Sequence, residues 1–198
     1  MTLALGAYFF FIALILALLE IQIEGPHGWA EKLPTWRWDG PVVRRLFGKP
    51  VTGYHVCLVT CILLFLHVPQ FYGGSWDREA DLLAMFFLLT VTWDFLWFAC
   101  NRHFGVARFR KGQVWWFPTW TLGVPREYFV GVAFSLCAAL APALWTGAWA
   151  DRARRWALIF GEMLALTTVV TALTFRLRRQ AAARPVSRDP KRVKARPK

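Results

Sequence analysis

The stretch LALGAYFFFIALILALLEIQI, residues 3–23, carries no charged side chain before Glu20 and decides how the rest of the chain is interpreted. An α-helix rises about 1.5 Å per residue and the hydrocarbon core of a bilayer is about 30 Å thick, so roughly 20 apolar residues cross it. The stretch lacks the basic start and the small-residue cleavage pattern of a signal peptide. It therefore predicts a membrane-spanning helix.

Four more runs of similar length and composition follow in the 198-residue chain, 57% of which is hydrophobic. Strands are not expected in these runs, because an open sheet would leave backbone polar groups unpaired in hydrocarbon. We predict an all-α fold, a polytopic membrane helical bundle of about five transmembrane helices with Trp-rich interfacial segments. The bundle forms a domain of residues 1–175, with helices at about 3–23, 51–72, 82–100, 128–150 and 156–175.

The distribution of Lys and Arg predicts the orientation. Five crossings place the N-terminus and the connections 73–81 and 151–155 on one side, with four basic residues in total. The other side receives the connections 24–50 and 101–126 and the C-terminal segment, with twenty. Cytoplasmic segments are the ones enriched in Lys and Arg. We therefore expect a multi-pass protein of the cell inner membrane with its N-terminus outside and its C-terminus in the cytoplasm.

The C-terminal segment, residues 176–198, has ten basic residues and one acid. Such a composition predicts a disordered cytoplasmic tail attracted to anionic lipid. The formal net charge of the chain is +12, which is also typical of nucleic-acid-binding proteins. The positive-inside distribution accounts for this charge by itself, so we expect membrane lipids as partners and no nucleic acid.

The two long connections at the predicted cytoplasmic side combine Trp with Arg and Lys. Trp is enriched at headgroup level, where cations meet lipid phosphate. Recurring Pro and Gly disfavour long regular helices in both segments. We interpret them as short interfacial elements, whose belt of tryptophans is Trp29, Trp36, Trp38, Trp115, Trp116 and Trp120.

Ionisable residues cluster near the predicted inner ends of the first four helices. Asp94 is the clearest, since it lies about 10 Å inside its helix end and cannot reach water by bending. We predict that Glu20, Asp94 and at least one of His27, His55 and His103 share one buried pocket. The candidate acid/base groups are Glu20, Glu24, Asp94 and His103, and the candidate groups for a polar or anionic headgroup are Asn101, Arg108, Arg110 and Arg126.

Metal binding is an alternative use of the same pocket. Carboxylates and imidazoles are ligands of Zn, Mn and Fe, and helical bundles are a usual place for them to meet. The additional candidate ligands are His27, His55 and Glu127. Glu24 and His27 have the Glu-x-x-His spacing of di-metal helical bundles, but Gly25 and Pro26 between them disfavour a helix there. A divalent metal, Zn, Mn or Fe, is thus a candidate cofactor.

The sequence does not decide between two functions. One is a membrane-embedded enzyme, of unknown reaction type, that acts on a lipid or isoprenoid-like substrate at the cytoplasmic leaflet. The other is a non-catalytic membrane subunit or assembly factor, in which polar groups fix helices together and Trp-rich connections bind membrane protein partners. A small carrier is less favoured, because the chain has neither an internal repeat nor a pair of broken helices.

Overall fold

A computed structural model describes residues 2–183. The fold is all-α apart from two antiparallel pairs of two-residue strands, β1 with β2 and β3 with β4. The elements in chain order are α1 (Thr2–Glu24), β1 (Arg37–Trp38), α2 (Pro41–Phe47), β2 (Val51–Thr52), α3 (Gly53–His67), a 3-10 turn (Val68–Tyr72), α4 (Trp76–Cys100), a second 3-10 turn (Val106–Arg108), β3 (Trp120–Thr121), β4 (Val124–Pro125), α5 (Arg126–Leu140), α6 (Ala143–Thr146) and α7 (Trp149–Ala183).

Within residues 2–183, five helical segments are long and apolar enough to cross a membrane, which confirms the predicted all-α fold and its five long apolar helices. These segments lie at Leu3–Glu24, Gly53–Tyr72, Trp76–Cys100, Arg126–Thr146 and Trp149–Ala183. Helix α4 is central, because it packs against α1, α5 and α7. Leu89, Leu96 and Phe98 on α4 have no exposed surface and form the middle of the core.

The third long helix begins at Trp76, six residues before the predicted start at residue 82. The Ser75 hydroxyl accepts a hydrogen bond from the backbone N–H of Arg78, so it caps the helix. Asp77 and Glu79 lie in the first turn, where carboxylates stabilise the positive end of the helix dipole. These polar residues start the helix instead of forming a loop before it.

The last long helix begins at Trp149, ahead of the predicted residue 156, and includes the basic run that we interpreted as a connection. Arg152 and Arg155 lie in the first turns of this helix, and both donate to the carboxylate of Asp81 on α4, at 2.7 Å and 3.1 Å. This ion-pair group joins α7 to α4 at one end of the bundle.

The same helix continues to Ala183, so the first eight residues of the predicted tail are helical. Arg178 in this extension donates to the carbonyl of Ala99 at the end of α4, at 3.0 Å. The disorder that we predicted for residues 176–198 is therefore wrong for 176–183. The remaining residues, 184–198, lie outside the described part of the chain.

The fourth long segment is interrupted where the sequence predicts a continuous helix over 128–150. Helix α5 ends at Leu140, and the short helix α6 follows Pro142. Proline has no backbone N–H to continue the helical hydrogen bonds. Gly147, in the left-handed conformation, then ends α6.

Both long connections, residues 25–52 and 101–125, lie at the same end of the bundle, which we call the loop-rich end. The Asn101 side chain donates to the carbonyl of Gly25 at 2.8 Å, and Lys49 lies 4.5 Å from the ring centre of Phe117. The C-terminal part of α7 also reaches this end, where Arg178 contacts the carbonyl of Ala99. The fold thus brings together the ends of α1 and α4 and the starts of α3 and α5.

The tryptophans of these connections do not form one interfacial belt. Trp36, Trp38 and Trp115 are at least half exposed, in agreement with a headgroup position. Trp116, in contrast, is 4% exposed and stacks on Phe98 of α4. Trp29 and Trp120 are partly buried as well. The second connection therefore covers the end of α4, because its aromatic rings pack against the buried aromatic residues of that helix.

Candidate functional site

The structure brings Glu20, Glu24 and His55 together at the loop-rich end. Each offers a ligand atom, and these atoms lie within 4.8 Å of one another. His55 Nε2 is 3.6 Å from Glu20 Oε1 and 3.9 Å from Glu24 Oε1. The side chains are 10%, 2% and 15% exposed for Glu20, Glu24 and His55, so the cluster is largely withdrawn from the surface.

Local structure accounts for this meeting. Glu20 and Glu24 are four residues apart on α1 and so occupy one face of that helix. His55 is in the first turn of α3, which Thr52 caps by accepting the backbone N–H of His55. Thr52 Oγ1 also lies 2.6 Å from His55 Nδ1 and thereby fixes the imidazole. The start of α3 thus presents Nε2 to the carboxylates of α1.

A strained loop holds Glu24 in place. Trp29 and Ala30 adopt positive φ angles of 58° and 52°, which cost non-glycine residues roughly 1–2 kcal/mol each. The Ala30 backbone N–H donates to Glu24 Oε1, and Arg37 donates to the Ala30 carbonyl. These two hydrogen bonds offset the backbone strain and hold Glu24 in its orientation. Backbone strain of this kind is concentrated at functional sites.

Trp29 also fixes His55 from the side. The two rings are stacked with centroids 4.1 Å apart, and the Trp29 indole donates to the carbonyl of Pro50 at 2.8 Å. The imidazole is therefore held by a ring on one face and by Thr52 at Nδ1.

Asp94 lies beside this cluster, near enough for its charge to act on Glu20 and Glu24. Its carboxylate accepts a hydrogen bond from the Tyr128 hydroxyl on α5. The neighbouring Glu127 has one carboxylate oxygen, Oε2, that is buried and has no hydrogen-bond partner among the described residues. Four helices thus contribute polar groups to the same end of the bundle.

Lys49 completes the site, although in the sequence it is only one of the basic residues of the first long connection. Its ammonium lies 3.6 Å from the ring centre of Trp29. Burial lowers the pKa of Lys49 to about 8, although the nearby carboxylates of Asp94, Glu127 and Glu20 favour its protonated form. A lysine among several carboxylates provides them with a counter-charge inside the fold.

Two of the predicted histidines lie outside the cluster. His27 is on the half-exposed turn after α1 and lies 3.7 Å from Glu31, four residues further on. His103 is exposed and receives a hydrogen bond from Arg102. Both follow a helix end by three residues, where the chain turns away from the pocket. The geometry therefore gives neither residue the metal-binding or acid/base role expected from sequence.

Asn101 has a structural position. It is fully buried, donates to the carbonyl of Gly25, and accepts the backbone N–H groups of His103 and Phe104. These bonds tie the end of α4 to the end of α1. Its amide is therefore engaged within the fold instead of facing a headgroup.

The predicted headgroup-binding arginines are on the surface of the loop-rich end. Arg108, Arg110 and Arg126 are all exposed. None of them forms an ion pair with the cluster in the described part of the chain. This position is compatible with contact to lipid phosphate, but it separates them from the buried carboxylates.

Lys49, Tyr128 and Thr52 are the site residues that sequence reasoning missed. The Thr52 signal was present, because a threonine three residues before His55 at a predicted helix start is an N-cap pattern. Lys49 and Tyr128 gave no periodic signal, since their positions depend on how two irregular connections fold over the bundle.

Comparison with models of known protein families, with curated proteins and with solved structures finds no match. The fold and the site together define an all-α protein with five long apolar helices and a buried carboxylate–histidine–lysine cluster at its loop-rich end. Such a cluster can exchange protons or hold a cation.

Proposed function

We propose that this chain is an integral membrane enzyme that acts on a lipid or isoprenoid-like substrate through the cluster of Glu20, Glu24, His55 and Asp94. The observation that carries the proposal is the meeting of Glu20, Glu24 and His55 within 4.8 Å in a largely buried position. Placing an ionisable side chain within the membrane costs free energy, so such residues usually belong to an ion or substrate path or to a catalytic site.

The surroundings of the cluster favour a substrate with a long apolar chain. From His55 to Tyr72, only Ile62 is buried, and side chains such as Leu64 and Phe65 are about 70% exposed. Helix α3 therefore stands apart from the bundle along most of its length. In a membrane this face meets lipid directly, which gives a lipid chain access to the side of the cluster.

A groove at the start of α3 supports the same proposal. It has a volume of about 560 Å³ and is lined by residues that include Trp36, Tyr54 and Leu58. The Tyr54 ring contacts His55 edge-on, with centroids 5.0 Å apart, and its buried hydroxyl has no hydrogen-bond partner within residues 2–183. This hydroxyl is suited to hydrogen-bond a polar substrate headgroup next to the cluster.

The chemistry that we propose is proton transfer at a polar group of the lipid. Glu20, Glu24 and Asp94 act as acid or base, and Lys49 balances their charge. The excess of Lys and Arg at the loop-rich end favours the cytoplasmic leaflet of the inner membrane as the location of this chemistry.

Lipid profiles of cells with and without the gene test the proposal. We expect a lipid species to change on deletion and to be restored by wild type and by Glu79→Gln, but not by Glu20→Gln. Glu79 is the matched control, because it also contacts a histidine, His67 at 2.7 Å, but at the opposite end of α4.

Accumulation of each variant in the membrane is measured alongside the lipids. A deletion that changes no lipid species would favour the non-catalytic subunit. Full restoration by Glu20→Gln would contradict the enzyme assignment, since its carboxylate would then be dispensable.

A further inference from the structure

We propose that Glu20, Glu24 and His55 are the protein ligands of one divalent transition-metal ion, of the class of Zn²⁺, Mn²⁺ or Fe²⁺. Any catalytic use of this ion rests on the proposed function, which it deepens, but metal binding is measurable without any activity. Three protein ligands leave coordination positions open for water or a substrate oxygen, and such an ion activates water or polarises the oxygen.

The distances favour a shared ion over direct pairing. At 3.6 Å and 3.9 Å, His55 Nε2 is too far from Glu20 and Glu24 for a hydrogen bond to either carboxylate. Two ligand atoms that each lie about 2.0–2.2 Å from one ion are separated by roughly 3 to 4 Å. Both distances from the imidazole nitrogen are in this range, and the three ligand atoms lie within 4.8 Å of one another.

The charge balance favours a cation in the same place. In the described part of the chain, the four carboxylates of Glu20, Glu24, Asp94 and Glu127 lie near the partly buried ammonium of Lys49, and Arg37 is a second cation whose charge reaches the cluster. Uncompensated charge is unfavourable in a low-dielectric interior. A divalent ion at the cluster would neutralise most of the remaining negative charge.

The ligands are oriented as metal ligands usually are. Thr52 Oγ1 lies 2.6 Å from His55 Nδ1, and in the tautomer with the proton on Nδ1 this N–H donates to Thr52 and the lone pair of Nε2 faces the two carboxylates. A hydrogen bond at the second ring nitrogen is the common way to fix a metal-binding histidine. Glu24 is held in the same manner by the backbone N–H of Ala30.

Trp93 on α4 also faces the cluster. It is 6% exposed, and its indole N–H is directed at the carboxylate of Glu20, although the contact does not reach ordinary hydrogen-bond geometry. A donor in this position helps to orient the Glu20 carboxylate, as partners of metal-binding carboxylates usually do.

The other His–Glu contacts lack these features. His67 bonds directly to Glu79 at 2.7 Å and to the carbonyl of Leu63 at 2.6 Å, so both ring nitrogens are satisfied. The contact of His27 with Glu31 is half exposed. In residues 2–183, Glu20, Glu24 and His55 form the only group of three or more residues with metal-ligand geometry.

The test uses the full chain, purified in detergent without a histidine tag, with elemental analysis and with Co²⁺ as a spectroscopic probe. We expect about one ion per chain in wild type and a Co²⁺ absorption band, and we expect both to be lost in His55→Ala and Glu24→Gln. The matched control, His67→Ala, is expected to keep both. Circular dichroism of each variant reports folding.

Thr52→Val provides a milder variant that leaves all three ligands in place. Loss of an orienting partner of this kind weakens metal affinity by about 10–100-fold, and we expect that range here. Folded wild type that takes up none of Zn²⁺, Mn²⁺, Fe²⁺ or Co²⁺ would overturn the proposal, as would retention of the ion by folded His55→Ala. Bound metal in a protein whose deletion changes no lipid would leave the metal site standing and contradict only the enzyme.

Discussion

Glu20 on α1 and His55 on α3 face each other across 3.6 Å at the loop-rich end of the bundle, although 35 residues separate them in the chain. The connection between them forms a small antiparallel strand pair, the helix α2 and the strained turn at Trp29 and Ala30. The contact therefore depends on an irregular segment that folds tightly over the helix ends.

The orientation of the chain is tested with reporter fusions. Because basic residues are concentrated in the connections and the terminus of the loop-rich end, fusions after Gly112 and Lys198 should report the cytoplasm. A fusion after Gly74 should report the outer side. An outer location for both Gly112 and Lys198 would overturn the orientation and the assignment of the site to the cytoplasmic leaflet.

The hydrogen bond from Tyr128 to Asp94 should stabilise the fold. Tyr128→Phe leaves Asp94 without this donor, and we expect the free energy of unfolding to fall by about 1–3 kcal/mol. Thermal unfolding in detergent measures the change. Tyr8→Phe is the control, since Tyr8 is 61% exposed and its variant should match wild type. Equal stability of Tyr128→Phe and wild type would contradict this role.

The lowered pKa of Lys49 predicts a pH dependence of stability. Its folded pKa of about 8 lies below the unfolded value of about 10.4, so between them the unfolded chain binds more protons. Raising the pH through this range therefore stabilises the fold, by at most about 1.4 kcal/mol per pH unit. Below pH 8 the contribution of Lys49 is constant.

The measurement compares wild type with Lys49→Met in unfolding experiments from pH 7 to pH 10. The stability of wild type relative to this variant should rise above pH 8. The exposed Lys32 supplies the control, because Lys32→Met should show the same pH dependence as wild type. A difference between wild type and Lys49→Met that does not change with pH would show that Lys49 is not held in a buried environment.

Because α1 packs closely against α7, a methyl group added at Gly6 is expected to change the free energy of unfolding. A Cβ atom at Gly6 would lie 2.0 Å from Glu162 Oε2, so Gly6→Ala must displace this side chain. Because Oε2 is the far end of a flexible side chain, Glu162 can rotate away, and we expect Gly6→Ala to be less stable than Gly161→Ala by at most about 1 kcal/mol in the free energy of unfolding. Gly161→Ala is the matched control, since a Cβ there meets nothing within 4 Å and the change from Gly to Ala in a helix is the same. A Gly6→Ala protein as stable as the control would show that Glu162 moves without cost.

The sequence was sufficient for the architecture but only partly for the site. The long apolar runs predicted five helices because hydrophobic length is a property of each segment alone. The pairing of Glu20 with Glu24 also followed from helical spacing, and the depth of Asp94 predicted that it needed a partner. Residues on the helices could thus be placed from periodicity.

The connections could not be predicted in the same way. His27 and His103 were two of the three histidines of which at least one was expected in the pocket, but each lies three residues beyond its helix end, where the irregular chain carries it to the surface. For Lys49 the difference is the opposite. In the sequence it is only a charge in the connection, whereas the structure packs its ammonium on the ring of Trp29. These positions depend on turns with positive φ angles and on aromatic stacking, which have no period in sequence.

Conversion of lipid by the purified protein is the decisive measurement for the enzyme. Lipids extracted from the deletion strain are incubated with wild type, Glu20→Gln and Glu79→Gln, each reconstituted in vesicles, and are then analysed by mass spectrometry. The proposed site predicts that wild type and Glu79→Gln convert the lipid that accumulates on deletion, while Glu20→Gln leaves it unchanged. Conversion by Glu20→Gln at the wild-type rate, or no conversion by folded wild type, would contradict a catalytic cluster at Glu20, Glu24 and His55.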